Sequence, residues 1–395
     1  MNRGRYTRVY ATVDLDAVAA NMESMQRNLA PGVGMIGVVK ADGYGHGAVP
    51  VAKAIGPYVK GYAVATAQEA MQLRRHGIAK PVLVLGVVHP IHFRDLIEQR
   101  VRPAIFTMEQ AWALSGQAKS LGKTADFHLV VDTGMGRIGM GADPEGARLA
   151  AAICGLPSIR AEGIFTHFAR ADEEDKTSAD KQLLRFHRFV GLLEGQGVRV
   201  PIKHCANSAA ILDLPGAHFD LVRAGISLYG MYPSGQVNKG KVPLQPAMGL
   251  KSFITYVKDV KPGQEISYGG TFTATKPMKV ATLPVGYGDG YPRNLSGCGK
   301  VLIAGKPAPI LGRVCMDQFM VDVSKIPEAV VDAEATLIGR DGGEQITIED
   351  LARWGGGFHY EIACNLGKRV PRAYFYHGEA VGAKDYFDDQ YLDFM

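Results

Sequence analysis

Cysteine is scarce in this sequence, and no two cysteines have the Cys-x-x-Cys spacing of a metal site or a redox pair. The number of cysteines is odd, and they lie far apart at Cys154, Cys205, Cys298, Cys315 and Cys364. Such a pattern argues against a disulfide framework and a zinc site, and it favours free thiols in a reducing compartment. We therefore predict no metal.

Long apolar segments are missing as well. The longest apolar stretch, residues 82–88, is far too short to span a bilayer. The N-terminal segment, MNRGRYTRVYATVDLD, contains no apolar core of a secretory signal. These absences predict a cytoplasmic protein without a membrane partner.

A concentration of basic charge is the third missing feature. The formal net charge is only +5, from 44 Lys and Arg against 39 Asp and Glu, and the basic residues are scattered. Because no basic run alternates with aromatic residues, nucleic-acid binding is not expected. The apolar content of 47% in 395 residues is ordinary and suffices for two domains with buried cores.

From about residue 33 to 230, short apolar runs alternate with amphipathic helical stretches, and we predict that one domain spans residues 12–240. Near-continuous apolar runs are typical of parallel strands that are covered on both faces. Eight such runs predict an α/β fold with a (β/α)8 barrel of the TIM type, although a doubly wound sheet gives the same alternation. The predicted strands are residues 35–39, 61–65, 82–85, 103–106, 127–132, 161–166, 201–205 and 221–228.

After the Pro- and Gly-rich stretch 232–249, the pattern changes to strand-like runs joined by turns. Turn residues occur at Lys261-Pro262-Gly263 and at Asp341-Gly342. We therefore predict a separate β-rich domain over residues 241–395, with which residues 1–11 are expected to pair. Its predicted strands include residues 250–260, 279–284, 300–303 and 320–323.

The first candidate catalytic residue is a lysine at a strand end, where the loops of a barrel build the active site. The first barrel strand leads into Lys40, and Gly43, Gly45 and Gly47 follow it. Desolvation lowers the pKa of a lysine toward the range in which the free amine forms a Schiff base. For this fragment alone, a lysine whose amine simply reaches solvent is the commoner explanation.

Polar residues also follow later strands. Arg137 comes after a glycine-rich turn and suits a carboxylate, whereas His167 is as easily a core residue. The segment 204–210 (HCANSAA) offers small polar groups for a phosphate. Arg223 lies in an apolar strand and needs an acceptor, because an unpaired buried charge is costly. Their joint placement at successive strand ends indicates a ligand site.

Six segments of the sequence resemble the alanine racemase family, in the same order and across nearly the whole chain. They are residues 38–47 (VVKADGYGHG), 204–210 (HCANSAA), 223–230 (RAGISLYG), 267–271 (SYGGT), 283–291 (LPVGYGDGY) and 312–318 (GRVCMDQ). The resemblance implies a barrel followed by a β-rich domain, and a homodimer with shared active sites.

The resemblance also implies the cofactor pyridoxal 5′-phosphate (PLP), held by Lys40 as an internal aldimine. Arg223 would face the pyridine nitrogen, and His167 would lie beside the ring. The phosphate would be held by Tyr44, Ser208, Gly225, Ile226 and Tyr360, with Asn207 also in the cofactor site.

For the reaction, the resemblance implies two bases on opposite faces of the substrate Cα, namely Lys40 and Tyr268, with support from His167 and Arg223. Because arginine cannot donate a proton to the pyridine nitrogen, the negative charge stays at Cα, which favours racemisation over transamination. The implied activity interconverts L- and D-alanine and supplies D-alanine for cell-wall peptidoglycan.

Substrate binding is implied for residues of both domains. Arg137 and the backbone of Met316 would take the substrate carboxylate. Tyr268 and Met316 would come from the partner subunit. The corridor through which a small amino acid enters would be lined by Asp172, Tyr287, Arg293 and Arg313.

Alternatives remain open at this point. A racemase of another small amino acid, such as serine, would use the same acid and base. A PLP-dependent decarboxylase of similar architecture would be expected to carry glutamate where this chain has Arg223. A PLP-carrier protein would not explain the second domain, and a purely structural interpretation requires every segment to match by coincidence.

One position departs from the family pattern. Val130 stands where the family usually has a lysine, commonly carbamylated, whose negative charge orients the carboxylate-binding arginine. Valine cannot be carbamylated. Because the charge of Arg137 still needs a counter-ion, we hypothesise that a chloride ion or a nearby Asp or Glu replaces the carbamate.

Overall fold

The computed structural model describes residues 6–386, which form two compact units. The barrel unit comprises Val18–Gly43 and Ala48–Gln245. The sheet unit comprises the described residues up to Ala17, Tyr44–Gly47, and those from Pro246 onward. Residues 1–5 and 387–395, which belong to the predicted segments 1–11 and 241–395, lie outside the described residues. The chain begins with β1 (Val9–Asp14) and α1 (Leu15–Arg27).

The barrel unit contains eight parallel strands at the positions that the apolar runs predict, and the predicted barrel is confirmed. Backbone hydrogen bonds from Asp220 N to Lys203 O (3.2 Å) and from Arg223 N to Ala206 O (2.9 Å) connect the last two strands. The strands are β2 (Gly34–Val38), β3 (Gly61–Val64), β4 (Val82–Val84), β5 (Val101–Ile105), β6 (Ala125–Asp132), β8 (Ile159–Phe165), β9 (Ile202–His204) and β10 (Leu221–Ala224), with β7 (Met140–Gly141) beside β6. Their order is β10-β2-β3-β4-β5-β6-β8-β9.

The last barrel strand is shorter than the predicted run of residues 221–228. It ends at Ala224, after which Gly225 bends the chain with φ −106° and ψ −111° and Ile226–Tyr229 form a 3₁₀ turn. The side chains of that turn are buried as they would be in a strand. For this reason the apolar run alone could not reveal the bend.

Helices alternate with the barrel strands, and several of them begin at recognisable caps. Thr66 and Glu69 form a capping box at the start of one helix, and Thr107 and Gln110 form another. The helices are α2 (Lys40–Tyr44), α3 (Ala48–Ala54), α4 (Ala67–Arg75), α5 (Phe93–Glu98), α6 (Met108–Ser120), α7 (Pro144–Cys154), α8 (Thr177–Gly195) and α9 (Ser208–Asp213). Within residues 6–386, no helix has both the length and the apolar character needed to cross a membrane.

The interior of the barrel is not uniformly apolar. Strands β2, β3 and β4 are buried along their whole length, as expected for parallel strands covered on both faces. Three strands nevertheless carry buried polar side chains, namely His128, His204 and Arg223. These groups have to be satisfied inside the protein, since water does not reach them.

The sheet unit is built on antiparallel pairs, with β1 joining its largest sheet. There β1 pairs antiparallel with β11 and parallel with β21. The strands are β11 (Met248–Phe253), β12 (Tyr256–Val260), β13 (Glu265–Ile266), β14 (Phe272–Thr273), β15 (Met278–Leu283), β16 (Lys300–Ile303), β17 (Lys306–Leu311), β18 (Phe319–Asp322), β19 (Glu334–Asp341), β20 (Glu344–Ile346), β21 (Arg372–Tyr376) and β22 (Glu379–Lys384). Two helices, α10 (Ile348–Gly355) and α11 (His359–Asn365), complete the unit.

The predicted strand 250–260 proves to be two strands with different partners. The first, β11, pairs with β1 and β19, whereas the second, β12, pairs with β15. The residues between them, Ile254 and Thr255, leave the ladder of β11 and let the chain change neighbours. The two linking residues, Ile254 and Thr255, are themselves β-branched, so the sequence shows no break there.

A buried carboxylate holds the N-terminal segment to a loop of the sheet unit. The side chain of Asp289 is fully buried and accepts from Arg8 Nη2 (2.6 Å), Arg8 Nη1 (2.9 Å) and Gly286 N (3.0 Å). Arg369 lies at 3.4 Å from the same carboxylate. Arg8 also donates to the carbonyl of Pro284 at 2.9 Å.

We predict that Asp289→Ala destabilises the protein by about 2 kcal/mol, because the partly exposed guanidinium of Arg8 and the buried N–H of Gly286 lose their acceptor. Urea unfolding followed by circular dichroism measures the change. The control is Glu328→Ala, which removes an exposed ion pair with Lys306 and should change stability little. Equal losses from the two variants would contradict the role assigned to Asp289.

Candidate active site

The segment that carries Lys40 has an unusual backbone. Ala41 and Asp42 both have φ 51°, and Gly43 and Tyr44 follow with φ 64° and 50°. Side chains with a Cβ rarely adopt this left-handed conformation, and a run of such residues is strained. Strain of this kind persists only where the surroundings hold the chain in place.

Glu69 of helix α4 provides such a hold. Its Oε1 accepts from Ala41 N at 2.7 Å, while its Oε2 accepts from Ala65 N (2.7 Å) and Thr66 N (3.1 Å). One carboxylate thus serves both the helix cap and the residue next to Lys40. Charge-assisted hydrogen bonds of this type are stronger than those between neutral groups.

Two further hydrogen bonds hold the same segment within the barrel unit. Asp42 Oδ1 accepts from Ala48 N at 3.0 Å, and Tyr229 donates its hydroxyl to the carbonyl of Val38 at 2.9 Å. The backbone is therefore held before and after Lys40. Lys40 itself lies at the C-terminal end of β2, where the sequence predicts the active site.

Two glycines that follow this segment, Gly45 and Gly47, pack so closely against residues of the sheet unit that no side chain would fit. A Cβ on Gly45 would lie 2.0 Å from the carbonyl oxygen of Ala363. On Gly47 it would lie 2.1 Å from the hydroxyl of Tyr374. Both glycines also have positive φ, so any other residue is excluded twice over.

Arg223 is buried in the barrel and donates only to neutral acceptors. Its Nη1 donates to His204 Nδ1 (2.9 Å) and His204 O (3.0 Å). Its Nη2 donates to Thr166 O (2.8 Å), Cys205 O (2.9 Å) and His167 Nδ1 (3.2 Å). Over the described part of the chain, no Asp or Glu forms an ion pair with Arg223, whose pKa burial lowers to about 10.

His167 lies in the same place and is neutral. Burial holds the pKa of His167 well below its usual range. The positive charges of Arg223, Arg137 and Lys40 act in the same direction, which requires those three groups to lie near the imidazole. The structure thus brings four of the predicted site residues together at one end of the barrel.

Asn207 and Ser208 begin helix α9 next to the last barrel strand. Asn207 Oδ1 caps the helix by accepting from Ala210 N at 3.1 Å. The Ser208 hydroxyl accepts from Gly225 N (3.0 Å) and Ser227 N (3.4 Å). The Ser227 hydroxyl is buried and finds no hydrogen-bond partner within the described chain. These amides and hydroxyls are the kind of donors that a phosphate group requires.

Arg137 extends from an exposed loop after β6, and this loop is held by Asp132. The Oδ1 atom of Asp132 accepts from the amides of Gly134 (2.9 Å), Met135 (2.9 Å) and Gly136 (3.1 Å). In the described residues no carboxylate lies within ion-pair distance of Arg137. The carboxylate form of the counter-ion hypothesis therefore finds no support, and the chloride form stays a prediction.

Val130 is buried on β6, two residues after His128. Side chains two positions apart point to the same side of a strand, so Val130 faces the barrel interior as His128 does. It brings no charge toward Arg137.

Three of the family-like segments meet in the sheet unit. Ser267 donates its hydroxyl to Arg313 O at 2.6 Å, and Gly288 N donates to Met316 O at 2.8 Å. Tyr268 begins a 3₁₀ turn and is 69% exposed, and Met316 is 51% exposed. Both side chains are therefore accessible on the surface of the sheet unit.

Two other predicted residues of the sheet unit, Tyr287 and Arg293, help to line a cavity of about 470 Å³. Phe358 and Glu361 line another part of it. Tyr360, predicted to hold the phosphate, has its ring centroid 6.3 Å from that of Tyr44. Asp172 belongs to the barrel unit, where its carbonyl accepts from Ser234, and its place in the corridor stays a prediction.

Several residues of the site escaped sequence reasoning. The sequence around Glu69 indicates only a helix cap. Its contact with Ala41 joins residues 28 positions apart in the chain, which no local pattern reveals. His128 and Glu162 were visible as polar residues within apolar strands, a signal that could have found them. They lie within the strands, away from the loops that build the active site of a barrel.

A parallel barrel with a lysine and a buried arginine at one end, followed by a sheet unit, defines a barrel-type amino-acid racemase. The models of the alanine racemase N-terminal and C-terminal domains match residues 13–233 and 247–374. The chain therefore belongs to the alanine racemase family.

Individual relatives of known name are similar over nearly the whole chain. An alanine racemase of Desulforamulus reducens is 46% identical, with 93% of this chain and 98% of the relative covered. The solved alanine racemase of Clostridium difficile is 40% identical with a TM-score of 0.92, over 96% of this chain and 99% of that one. The alanine racemase of Bacillus anthracis with bound L-Ala-P is 36% identical with a TM-score of 0.91, over 98% and 99%.

We predict that Glu69→Gln weakens PLP binding about tenfold, since the side-chain amide keeps one acceptor for the helix cap and turns an NH₂ group toward Ala41 N. Fluorescence titration of the apoprotein with PLP measures the affinity. Gln110→Ala is the matched control, because Gln110 holds the capping box of α6 without touching the Lys40 segment. If the control weakens PLP binding equally, helix stability explains the effect and the contact with Ala41 does not.

Proposed function

We propose that this protein is a PLP-dependent alanine racemase that uses Lys40 and Tyr268 as its two bases. The observation that carries the proposal is Arg223, a buried cation at the active end of the barrel with only neutral acceptors around it. The names of its relatives support alanine as the substrate. The D-alanine formed would supply peptidoglycan.

The donor set of the barrel unit fits PLP. Lys40 offers an amine for the aldehyde, and the Ser208 hydroxyl with the amides of Gly225 and Ile226 suits the phosphate. The buried Ser227 hydroxyl lies beside these amides without a partner among residues 6–386, as expected where a polar ligand belongs. When bound, PLP supplies a π-system that stabilises negative charge on the substrate Cα.

Arg223 determines which reaction follows. A carboxylate at the pyridine nitrogen would keep that nitrogen protonated and make the ring a strong electron sink, whereas a guanidinium remains a donor and does not give up its proton. Negative charge then stays near Cα. Return of a proton to Cα is favoured, and transfer of the amino group is not.

The two bases act on opposite faces of Cα. The amine of Lys40 removes or returns the proton on one face, and the hydroxyl of Tyr268 does so on the other. Tyr268 is 69% exposed on the sheet unit, which suits a residue donated to the site of a partner subunit. His167, neutral and hydrogen-bonded to Arg223, supports the proton relay.

The substrate is held through its carboxylate. Arg137 offers a guanidinium on the loop that Asp132 holds in place. The backbone of Met316 offers a second contact from the partner subunit. Two forked N–H groups of arginine match the geometry of a carboxylate. In a homodimer of this kind, Asp172, Tyr287, Arg293 and Arg313 line the path to the site.

Incubation with L-alanine, L-serine and L-lysine, followed by chiral chromatography, tests the proposal. We expect D-alanine as the main product, because the arginine at position 223 favours reprotonation and the relatives are alanine racemases. Borohydride reduction of the loaded enzyme should label Lys40. Preferential formation of D-serine would show that serine, and not alanine, is the substrate. Release of CO₂ would indicate a decarboxylase. A label on another lysine would refute the proposed cofactor site.

The shared active site makes a separate prediction. Lys40→Ala and Tyr268→Phe chains should each lose at least about 100-fold in turnover, since each lacks one acid-base group. Mixing the two variants should restore part of the activity, because some heterodimers contain one intact site.

Tyr256→Phe, an equally conservative change of another exposed tyrosine of the sheet unit, is the control and should leave turnover unchanged. No recovery after verified subunit exchange would show that each chain completes its own site. Wild-type turnover by Tyr268→Phe would rule out the two-base scheme.

A further inference from the structure

A continuous line of hydrogen bonds extends from Arg223 into the interior of the barrel. Arg223 Nη1 lies 2.9 Å from His204 Nδ1, and His204 Nε2 lies 2.9 Å from His128 Nδ1. His128 Nε2 then lies 3.4 Å from Glu162 Oε2. The line crosses strands β10, β9, β6 and β8, and it ends on a carboxylate that the proposed reaction does not use.

The two ends of the line determine where each ring proton must be. Arg223 can only donate, so its hydrogen bond to His204 Nδ1 is made only while the proton of this neutral ring is on Nε2. His204 Nε2 therefore donates to His128 Nδ1, which places the proton of His128 on Nε2 as well. His128 Nε2 in turn donates to Glu162, which can only accept while it is ionised.

Both rings are neutral and Glu162 is ionised. Burial lowers the pKa of His204 well below its usual range and lowers that of His128 more than Glu162 raises it. Burial also raises the pKa of Glu162, but the hydrogen bonds from His128 and Arg102 outweigh it and leave that pKa below its ordinary value. The line thus connects one cation to one anion through two neutral rings.

The far end of the line is anchored by an ion pair between Glu162 and Arg102. Arg102 donates to both carboxylate oxygens of Glu162, from Nε at 2.7 Å and from Nη2 at 2.9 Å. Arg102 also lies 3.6 Å from Asp126, which pairs with Arg160 at 2.7 Å. Glu162 therefore cannot rotate away from His128 without losing a bidentate partner.

The rings themselves are held by close packing. A Cβ on Gly163 would lie 2.5 Å from two atoms of the His128 ring, so only glycine leaves room for that ring. The His204 ring stacks on Phe165 with centroids 5.0 Å apart and an interplanar angle of 16°. These contacts restrict rotation of both imidazole rings.

Hydrogen bonds within the barrel occupy most of the N–H donors of Arg223. Its Nη1 and Nη2 groups already serve His204, His167 and backbone carbonyls. In the described residues, the Nε–H is the one guanidinium group without an acceptor. It is the donor left for a cofactor nitrogen.

We propose that Glu162, acting through His128 and His204, is a positioning residue that holds Arg223 with this donor toward the cofactor. If Nδ1 of His204 carried the proton, it would face a hydrogen of Arg223 Nη1, and the guanidinium would have to turn. The proposal rests on the proposed PLP site only for what Arg223 contacts. The ring protons are a property of the chain alone.

The test compares four variants of the full-length protein, with ¹⁵N NMR of the histidine rings in the apoprotein and with PLP titration. Wild-type protein should show His128 and His204 as neutral rings protonated on Nε2. Glu162→Leu removes the final acceptor, and we expect mixed ring protonation, a shifted absorbance of bound PLP and an affinity about tenfold weaker. Glu162→Gln keeps an acceptor for His128 and should restore the single ring form and most of the affinity.

Asp126→Leu is the matched control, because Asp126 belongs to the same charge cluster but is not in the line. It should leave ring protonation and the absorbance of PLP as in the wild type. If Glu162→Leu does not fold, Gly163→Ala displaces the His128 ring without altering any charge and should give the same loss of the single ring form.

Retention of both Nε2–H rings and of the wild-type absorbance in Glu162→Leu would overturn the proposal, as would an equal effect of Asp126→Leu. Failure of the wild-type protein to bind PLP would refute the proposed function instead. The NMR result would still decide whether Glu162 determines the ring protons.

Discussion

The guanidinium of Arg223 is a permanent positive charge inside an apolar barrel, and the polar groups around it exist in the form that this charge requires. Moving a cation out of water is costly unless hydrogen bonds replace its hydration. Here three carbonyls and two imidazole nitrogens do so. His167 and His204 can accept only while they are neutral, and burial beside Arg223 keeps them neutral. One charge thus determines the protonation of its neighbours.

Much of the barrel could be predicted because its strands are apolar runs whose ends are marked by polar residues. Lys40, Arg137, His167 and Arg223 were found in this way, since parallel strands bring their C-terminal ends together. Glu69 could not be found, because its contact with Ala41 depends on how α4 packs beside the first strand. The strands β11 and β12 were merged for a related reason, since only tertiary pairing separates them.

The sheet unit illustrates a different limit. Its segments around Tyr268, Tyr287 and Met316 lie next to one another through backbone contacts that no local pattern predicts. Their resemblance to a family suggested that they act together, and the structure gives a physical reason for their glycines. A Cβ on Gly286 would lie 2.1 Å from the carbonyl oxygen of Cys315. The glycines in these family-like segments are therefore explained by close backbone packing, and not only by the residues proposed to act on the substrate.

The left-handed segment after Lys40 limits how the amine of this proposed base can move. Its strained backbone is held by Glu69 and Asp42, so the loop offers no easy hinge. Displacement of the amine must come from rotation about the bonds of the lysine side chain itself. The lysine side chain has four methylene groups, and its rotamer entropy contributes about 2 kcal/mol to the free energy of the mobile state. Rotation about side-chain bonds is generally faster than the opening and closing of a loop, so no loop motion is needed to move this amine.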